Sequence, residues 1–154
     1  MKPKKTVAII AGILFITVLI HLLNKELWDA NEKLLKEKIL AIEHSVETID
    51  LLDVTPFEWE VVYSFDPYTP KEMVYETVGY KWDRISETVS EGMNQIVFMK
   101  EGKVVCYLYG YPENNGYGLY FSGENVNGVS QMLTANEDDL TFQVKRDEGF
   151  ILLY

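Results

Sequence analysis

The pattern of apolar and polar positions divides the chain into a long apolar run, a charged helical stretch and a region of alternating strands. Residues 6–23 read TVAIIAGILFITVLIHLL and carry no formal charge when His21 is neutral. As a helix this run extends roughly 27 Å, close to the thickness of the hydrocarbon layer of a bilayer. We therefore predict a single transmembrane helix at residues 6–23, preceded by a short tail at residues 1–5.

Other interpretations of the apolar run fit the sequence less well. The segment that follows it, NKELWDANEKLL, offers no small-residue site for signal cleavage. A lipoprotein needs a cysteine just past the run, whereas the sole cysteine of the chain is Cys106. A helix buried inside a soluble protein stays open as an alternative, although a chain of 154 residues is small for enclosing a helix that is apolar on every side.

A helical stalk is predicted at residues 24–52, because no Gly or Pro interrupts this region and apolar residues recur at helical spacing. Trp28 suits an anchor at the membrane interface. The stripe allows either a homodimer through the stalk or packing against the chain's own domain. The second is favoured because Glu32 falls on the stripe and the repeat covers fewer than four heptads. The stripe consists of Trp28, Leu35, Ile39, Ile42, Val46 and Ile49.

Residues 53–154 are predicted to form one α+β domain, an antiparallel sheet with one or two short helices packed on it. Alternation over residues 57–65 indicates a strand. A short helix follows, with Thr69 as N-cap, Pro70 at its first position, Glu72 completing a capping box and Gly79 as the left-handed stop.

Two hairpins are predicted farther along the domain. Residues 80–92 precede them and fit a helix slightly better than a strand. The first hairpin, NQIVFMKEGKVVCYLYGY, turns at Glu101 and Gly102, and a two-residue turn pairs Lys100 with Lys103. That register places Val97 and Cys106 on one face of the sheet. The second hairpin lies at the C-terminal end, where residues 140–145 alternate and KRDEG leads into FILLY.

The charge distribution restricts the partners and the location. All 24 acidic residues follow the apolar run but only 11 of the 14 basic ones do, which gives that part a formal charge of −13. Such a charge repels nucleic acid and anionic headgroups. Lys2, Lys4 and Lys5 in the short tail favour a cytoplasmic N-terminus, and hence an extracellular C-terminal domain in the cell membrane.

The search for catalytic chemistry finds few candidates. The histidines are His21, in the predicted span, and His44, in the predicted stalk, so the domain lacks an imidazole for proton transfer or zinc. The cluster NEDD at residues 136–139 has no EF-hand spacing, and solvated loop charges explain it better than calcium. Cys106 lies in an apolar strand and is expected to be buried. We predict no catalytic, cofactor-binding or metal-binding residues.

Tyrosines are concentrated in the middle of the domain. Tyrosine is favoured at protein interfaces, since it brings a large contact area and a hydroxyl group at low entropic cost. Cross-strand pairing on a half-buried sheet is the alternative explanation. The predicted partner-binding residues are Tyr107, Tyr109, Tyr111, Tyr117 and Tyr120.

FDPYTPKEMVYETVG, followed by NQIVFMKEGKVVCYLYGYP, resembles segments of small uncharacterised single-pass membrane-anchored proteins of Gram-positive bacteria. The resemblance covers about half of the chain and implies an extracytoplasmic α+β domain without an assigned activity. More distantly, a capped helix followed by an antiparallel meander is similar in architecture to β-lactamase-inhibitor-like and outer-membrane assembly lipoprotein domains, which bind proteins.

These patterns predict a membrane-anchored noncatalytic protein-binding module at the cell envelope, of an accessory, inhibitory or immunity type. One alternative is a structural or regulatory subunit that contacts a membrane complex through its span and stalk. Another is an envelope hydrolase that uses two carboxylates, because any two of the 24 acidic residues could lie at the required separation.

Overall fold

The computed structural model describes the backbone of residues 3–154 and the side chains of this range apart from residues 3–9, 11 and 21–26. The fold is α+β, as predicted. The helices are α1 (Pro3–Leu40), α2 (Leu51–Val54), α3 (Lys71–Val78) and α4 (Pro112–Asn115). The strands are β1 (Thr48–Asp50), β2 (Val61–Phe65), β3 (Asn94–Lys100), β4 (Lys103–Gly110), β5 (Tyr117–Leu119), β6 (Glu124–Val126), β7 (Ser130–Thr134), β8 (Thr141–Asp147) and β9 (Phe150–Leu153).

Helix α1 runs without a break from Pro3 to Leu40. The span predicted at residues 6–23 lies partly outside the described side chains. Within the described part of the chain, no helix has the length and apolar character needed to cross a membrane. The side chains of residues 10 and 12–20 are exposed.

The predicted stalk at residues 24–52 is wrong in its extent. Leu35 and Ile39 are fully buried in the domain core, and α1 packs along β4. The helix ends at Leu40, and the chain then forms β1 and α2 instead of continuing as a helix. The packing of the stripe against the chain's own domain, the favoured interpretation, is therefore what the structure shows for these residues.

A distant arginine marks the end of α1. The guanidinium group of Arg146, on β8, donates to the carbonyl oxygens of Ile42, Glu43 and Val46 at 3.4, 2.6 and 3.1 Å. Carbonyl groups just beyond a helix lack intrahelical partners, and a cation near a helix C-terminus is favourable. The sequence around Leu40 contains no Gly or Pro, and this contact holds the chain just after the helix.

A five-stranded antiparallel sheet in the order β4-β3-β2-β7-β6 forms the centre of the domain. The predicted hairpin is confirmed, with Lys100 opposite Lys103. A β-bulge between Phe98 and Met99 then shifts the register, so that Phe98 pairs with Cys106 and Val105 is the extra residue. Beyond the bulge every β4 side chain lies on the opposite face from the one predicted.

The bulge is held by helix α1. Buried Asn31 donates its side-chain N–H to the carbonyl oxygen of Val105 at 2.8 Å. A bulge leaves the groups of its extra residue outside the regular ladder. The Asn31 side chain therefore ties α1 to the one position of β4 that the sheet leaves unpaired.

The second sheet contains four strands in the order β1-β8-β9-β5. Strands β8 and β9 form the predicted C-terminal hairpin, which is confirmed. Strand β5 pairs with β9 in parallel, in contrast to the single antiparallel sheet that we predicted. The larger apolar cluster fills the space between this sheet, α1 and the first sheet, while a smaller cluster lies on the other face of the first sheet beneath α3.

Helix α3 is confirmed with its stop, since Gly79 adopts the left-handed conformation with φ 86°. Its predicted capping box is wrong, because the Thr69 hydroxyl donates to the Asp66 carbonyl instead. A carboxylate oxygen of Glu87 accepts from the Lys71 N–H at 3.1 Å.

Residues 80–92 form turns and irregular backbone rather than the predicted helix, and the strand predicted over residues 57–65 is limited to Val61–Phe65.

Candidate functional site

The five tyrosines predicted to bind a partner lie in different environments. Tyr107 and Tyr117 are buried, with 6 % and 0 % of their surface exposed, and belong to different apolar clusters. Tyr109 and Tyr111 are half-buried, and Tyr120 is exposed. The five rings therefore do not form one surface, and a partner can reach only the last three in this conformation.

Tyr117 connects the core to helix α1. Its hydroxyl group donates to a carboxylate oxygen of Glu32 at 3.0 Å. The pKa of Tyr117 lies far above its ordinary value, mainly because the ring is buried and secondly because the Glu32 carboxylate is near. The hydroxyl therefore keeps its proton. Burial likewise raises the pKa of the Cys106 thiol, and the expectation that Cys106 is buried is confirmed. Both groups are therefore held in their protonated, neutral forms inside the core.

Tyr107 belongs to an aromatic cluster with Trp28 of α1 and Trp82 of the segment after α3. The ring centroids of Tyr107 and Trp82 lie 5.3 Å apart, and those of Trp28 and Trp82 lie 5.4 Å apart, both edge to face. The Tyr107 hydroxyl accepts from the Ser86 N–H and from the Gln95 side chain. Burial raises the pKa of Tyr107 to about 12. Trp28 thus packs inside the domain, in contrast to the predicted interfacial anchor.

A solvent-exposed surface lies beside this cluster and is the candidate site. We call it the tyrosine patch, and it consists of Tyr68, Val89, Tyr109 and Tyr111. Tyr68 is 58 % exposed and Val89 is 71 % exposed. Exposed apolar side chains from neighbouring segments often mark an interaction site.

Hydrogen bonds hold the three segments of the tyrosine patch together. The Tyr68 N–H donates to the Thr88 hydroxyl at 2.8 Å, and the Tyr109 hydroxyl donates to the Glu87 carbonyl at 2.7 Å. The Tyr111 ring lies 3.7 Å from the position that a Cβ on Gly92 would occupy. These contacts place residues 68, 87–92 and 109–111 against one another.

The backbone of the patch is strained at Tyr68. Its φ of 65° lies in the left-handed region, which bulky side chains rarely adopt. The Thr69 N–H donates to the Asp66 carbonyl at 3.2 Å, which closes a turn with Pro67 and Tyr68 at its two central positions. Glycine is the usual residue at the second of these, and a strained residue that the fold retains is typical of binding and catalytic sites.

The charges around the tyrosine patch are mainly acidic. The exposed residues Asp66 and Glu91 flank it in sequence, and Glu87 belongs to the segment that supports it. A basic residue, Lys71, begins α3, and its backbone N–H donates to the carboxylate of Glu87. The patch therefore combines aromatic area with a negative rim, which favours a partner that is apolar at its centre and basic around it.

The acidic residues of the described side chains were also candidates for a metal site. No group of three His, Cys, Asp or Glu side chains there lies close enough to hold a metal ion. In the NEDD segment, Asp138 accepts from the N–H and the hydroxyl of Thr134, and Asp139 accepts from the Thr141 N–H. These local hydrogen bonds lower the pKa of both carboxyl groups.

Sequence reasoning found Tyr109 and Tyr111 but missed Tyr68 and Val89. The residues Asp66-Pro67-Tyr68-Thr69 carry a turn signal, since proline is favoured at the first central position of such a turn. That signal indicates an exposed tyrosine. Val89 has no comparable signal, because only the tertiary contact between residues 68 and 88 brings its segment next to Tyr68.

Comparisons with protein-family models, with curated proteins and with solved structures find no match to this chain.

Proposed function

We propose that this chain is a noncatalytic protein-binding module of the cell envelope, of an accessory, inhibitory or immunity type. A single span at residues 6–23 anchors it in the cell membrane, with the N-terminal tail in the cytoplasm and the acidic domain outside. The observation that carries the proposal is the tyrosine patch. Its backbone is strained at Tyr68, and hydrogen bonds hold its segments together.

The physical character of the patch supports a protein as the ligand. Tyr68, Tyr109 and Tyr111 supply large rigid contact areas with hydroxyl groups at their tips. The hydrogen bonds of Tyr109 and of the Tyr68 backbone fix these segments before a partner arrives, which lowers the entropic cost of binding. The formal charge of −13 on the part beyond the apolar run favours a basic partner.

The exposed apolar side chains of α1 support the membrane anchor. Ile13, Phe15 and Ile16 are each more than half exposed, and apolar side chains cover the whole circumference of this part of the helix. A helix with this character is stable only when lipid or protein covers it. The positive charges of the tail support the proposed orientation.

The experiment replaces Tyr68 with the photoreactive residue benzoylphenylalanine in the full chain, and illuminates intact cells. We expect a covalent adduct with another protein, because Tyr68 is the most exposed tyrosine of the patch. The same replacement at Tyr154, an exposed aromatic residue just after β9, is the matched control. Equal amounts of adduct from both positions would contradict the proposal. So would the absence of an adduct from residue 68 when the chain is expressed at its native level.

A second candidate function uses helix α1 rather than the patch. The exposed apolar side chains of residues 10–20 favour a structural or regulatory subunit that joins a membrane complex through its helix. Alanine substitutions at Tyr68 and Val89 distinguish the two functions. They weaken partner capture under the first function, while under the second they leave it unchanged and substitutions in residues 10–20 abolish it.

A further inference from the structure

Helix α1 carries a second apolar stripe that its own domain leaves uncovered. Ile13, Ile16, Ile20, Leu27, Ala30 and Leu34 are all exposed. They recur at intervals of three and four residues when Leu23, which lies between Ile20 and Leu27 in the sequence, is counted with them. In residues 13–20 exposed apolar side chains also lie on the other sides of α1, so the 3.5-residue period is selective only at Leu27, Ala30 and Leu34, where it is the pattern of a helix that packs along another helix. The stripe continues from the apolar run into the charged part of α1.

The second stripe is distinct from the face that packs on the sheet. Asn31, Leu35 and Ile39 are buried against the domain, whereas Leu27 is 45 % exposed and Leu34 is 40 % exposed. Neighbouring residues of a helix differ by about 100° in direction, so Leu34 and Leu35 serve different surfaces. The domain and a partner helix can therefore occupy α1 at the same time.

We propose that the second stripe joins two copies of this chain into a parallel homodimer. Lipid would cover residues 13–20 in the proposed span, but Leu27, Ala30 and Leu34 lie beyond Lys25 and Glu26, where headgroups and water begin. An identical helix matches the stripe along its whole length, since each apolar position meets its counterpart in the partner. Two copies anchored in one membrane run parallel, and for this direction the inference rests on the proposed anchor.

The charges beside the stripe are compatible with a homodimer and indicate where the contact between the two helices ends. Lys33 flanks the stripe, and its ammonium group lies 2.6 Å from the Asp29 carboxylate of the same helix, so its charge is compensated within each copy. Glu37 takes the next position of the repeat, where two copies would bring like charges together. The proposed contact therefore runs from Ile13 to Leu34.

Cysteine crosslinking of the full chain in native membranes tests the homodimer. The variant Leu34→Cys places a thiol in the contact, and the matched control Lys36→Cys places it two residues away on a different side of α1. The natural Cys106 is buried and serves as an internal blank in the unsubstituted chain. After mild oxidation we expect a disulfide-linked dimer from Leu34→Cys at least fivefold more abundant than from Lys36→Cys. Equal yields, or an adduct with a different protein, would overturn the proposal.

A second measurement does not depend on thiol chemistry. The double variant Leu27→Lys, Leu34→Lys should shift the full chain in detergent from dimer to monomer in sedimentation analysis, because four ammonium groups would meet along the contact. Leu52→Lys, at an equally exposed leucine on α2, should remain dimeric. Membrane association is measured for the same proteins, so loss of the dimer is distinguished from loss of the anchor. A monomeric unsubstituted chain would refute the homodimer while leaving the anchor unaffected.

Discussion

At the scale of single residues, the two buried tyrosines show how a hydroxyl group can be retained in an apolar core. Tyr117 places its hydroxyl against the Glu32 carboxylate, and Tyr107 places its hydroxyl between Ser86 and Gln95. A buried hydroxyl without such partners would cost free energy. Both tyrosines therefore specify which elements come together, which is a structural role.

Tyr117→Phe tests the contact between the core and α1. The variant retains the ring but leaves the partly buried Glu32 carboxylate without its donor, so we expect the free energy of unfolding to fall by about 1–3 kcal/mol. Urea denaturation of the variant and the unsubstituted chain measures the difference. Tyr154→Phe, at an exposed position, should change the stability by less than about 0.5 kcal/mol. Equal effects of the two substitutions would contradict this role for Tyr117.

Tyr107 should make the stability depend on pH in the alkaline range. Its pKa is about 12 in the folded chain and about 10 when unfolded, so folding favours the protonated hydroxyl. The corresponding stability is fully present below pH 10 and is lost as the pH rises toward 12, at roughly 1.4 kcal/mol per pH unit.

The comparison of the unsubstituted chain with Tyr107→Phe isolates this contribution from that of the other tyrosines. Unfolding free energies measured between pH 8 and pH 11.5 should keep a constant difference up to about pH 10, after which the unsubstituted chain loses stability faster. A difference that stays constant over the whole range would show that Tyr107 titrates normally and is not buried as described.

The sequence pattern placed the tyrosines together in one candidate site and did not predict their separation into two groups. Tyr107, Tyr109 and Tyr111 alternate along the sequence and would share one face of an uninterrupted strand. In the structure Tyr107 is covered by Trp28 and Trp82, which are distant in sequence, so only Tyr109 and Tyr111 reach the surface. Burial of this kind depends on tertiary contacts that a single strand pattern does not contain.

At the scale of elements, glycine signals predicted a helix stop and a hairpin turn correctly, whereas the capping box predicted at Thr69 is wrong. Gly79 ends α3, and Glu101 with Gly102 turns the first hairpin, both as expected, because a positive φ at these positions is a local requirement. The end of α1, the β-bulge at Phe98 and the irregular segment at residues 80–92 were missed. Each depends on a contact with a distant part of the chain, of which Arg146 and Asn31 are the clearest examples.

Arg146→Ala tests whether a tertiary contact ends α1. The substitution removes the donors for the carbonyl groups of Ile42, Glu43 and Val46, and we expect the free energy of unfolding to fall by about 1–3 kcal/mol. Hydrogen exchange should accelerate in residues 41–50, since the chain after the helix loses its support. Lys145→Ala, at the exposed neighbouring position of β8, is the control. Similar exchange in both variants would refute the role of Arg146.

At the scale of the whole molecule, α1 is an integral part of the domain rather than a spacer that separates the domain from a membrane. Leu35 and Ile39 are fully buried, and Asn31, Glu32 and Trp28 each contact the sheets or the segment over them. If residues 6–23 span a membrane, Trp28 lies only five residues, or about 7.5 Å of helix, beyond the span. The domain, and the tyrosine patch with it, would then lie close to the membrane surface.

Truncation shows how much of α1 the domain requires. A chain that begins at residue 27 retains every described contact between α1 and the sheets, so we expect it to fold with Tyr107 and Tyr117 buried. A chain that begins at residue 41 loses Leu35 and Ile39 from the core. Removal of buried leucine and isoleucine costs about 2–5 kcal/mol each, which is comparable with the whole stability of a small domain. We expect the shorter chain to lack the near-ultraviolet circular dichroism of fixed aromatic rings and to unfold without a cooperative transition. A cooperative transition in the chain that begins at residue 41 would instead establish α1 as separable from the domain.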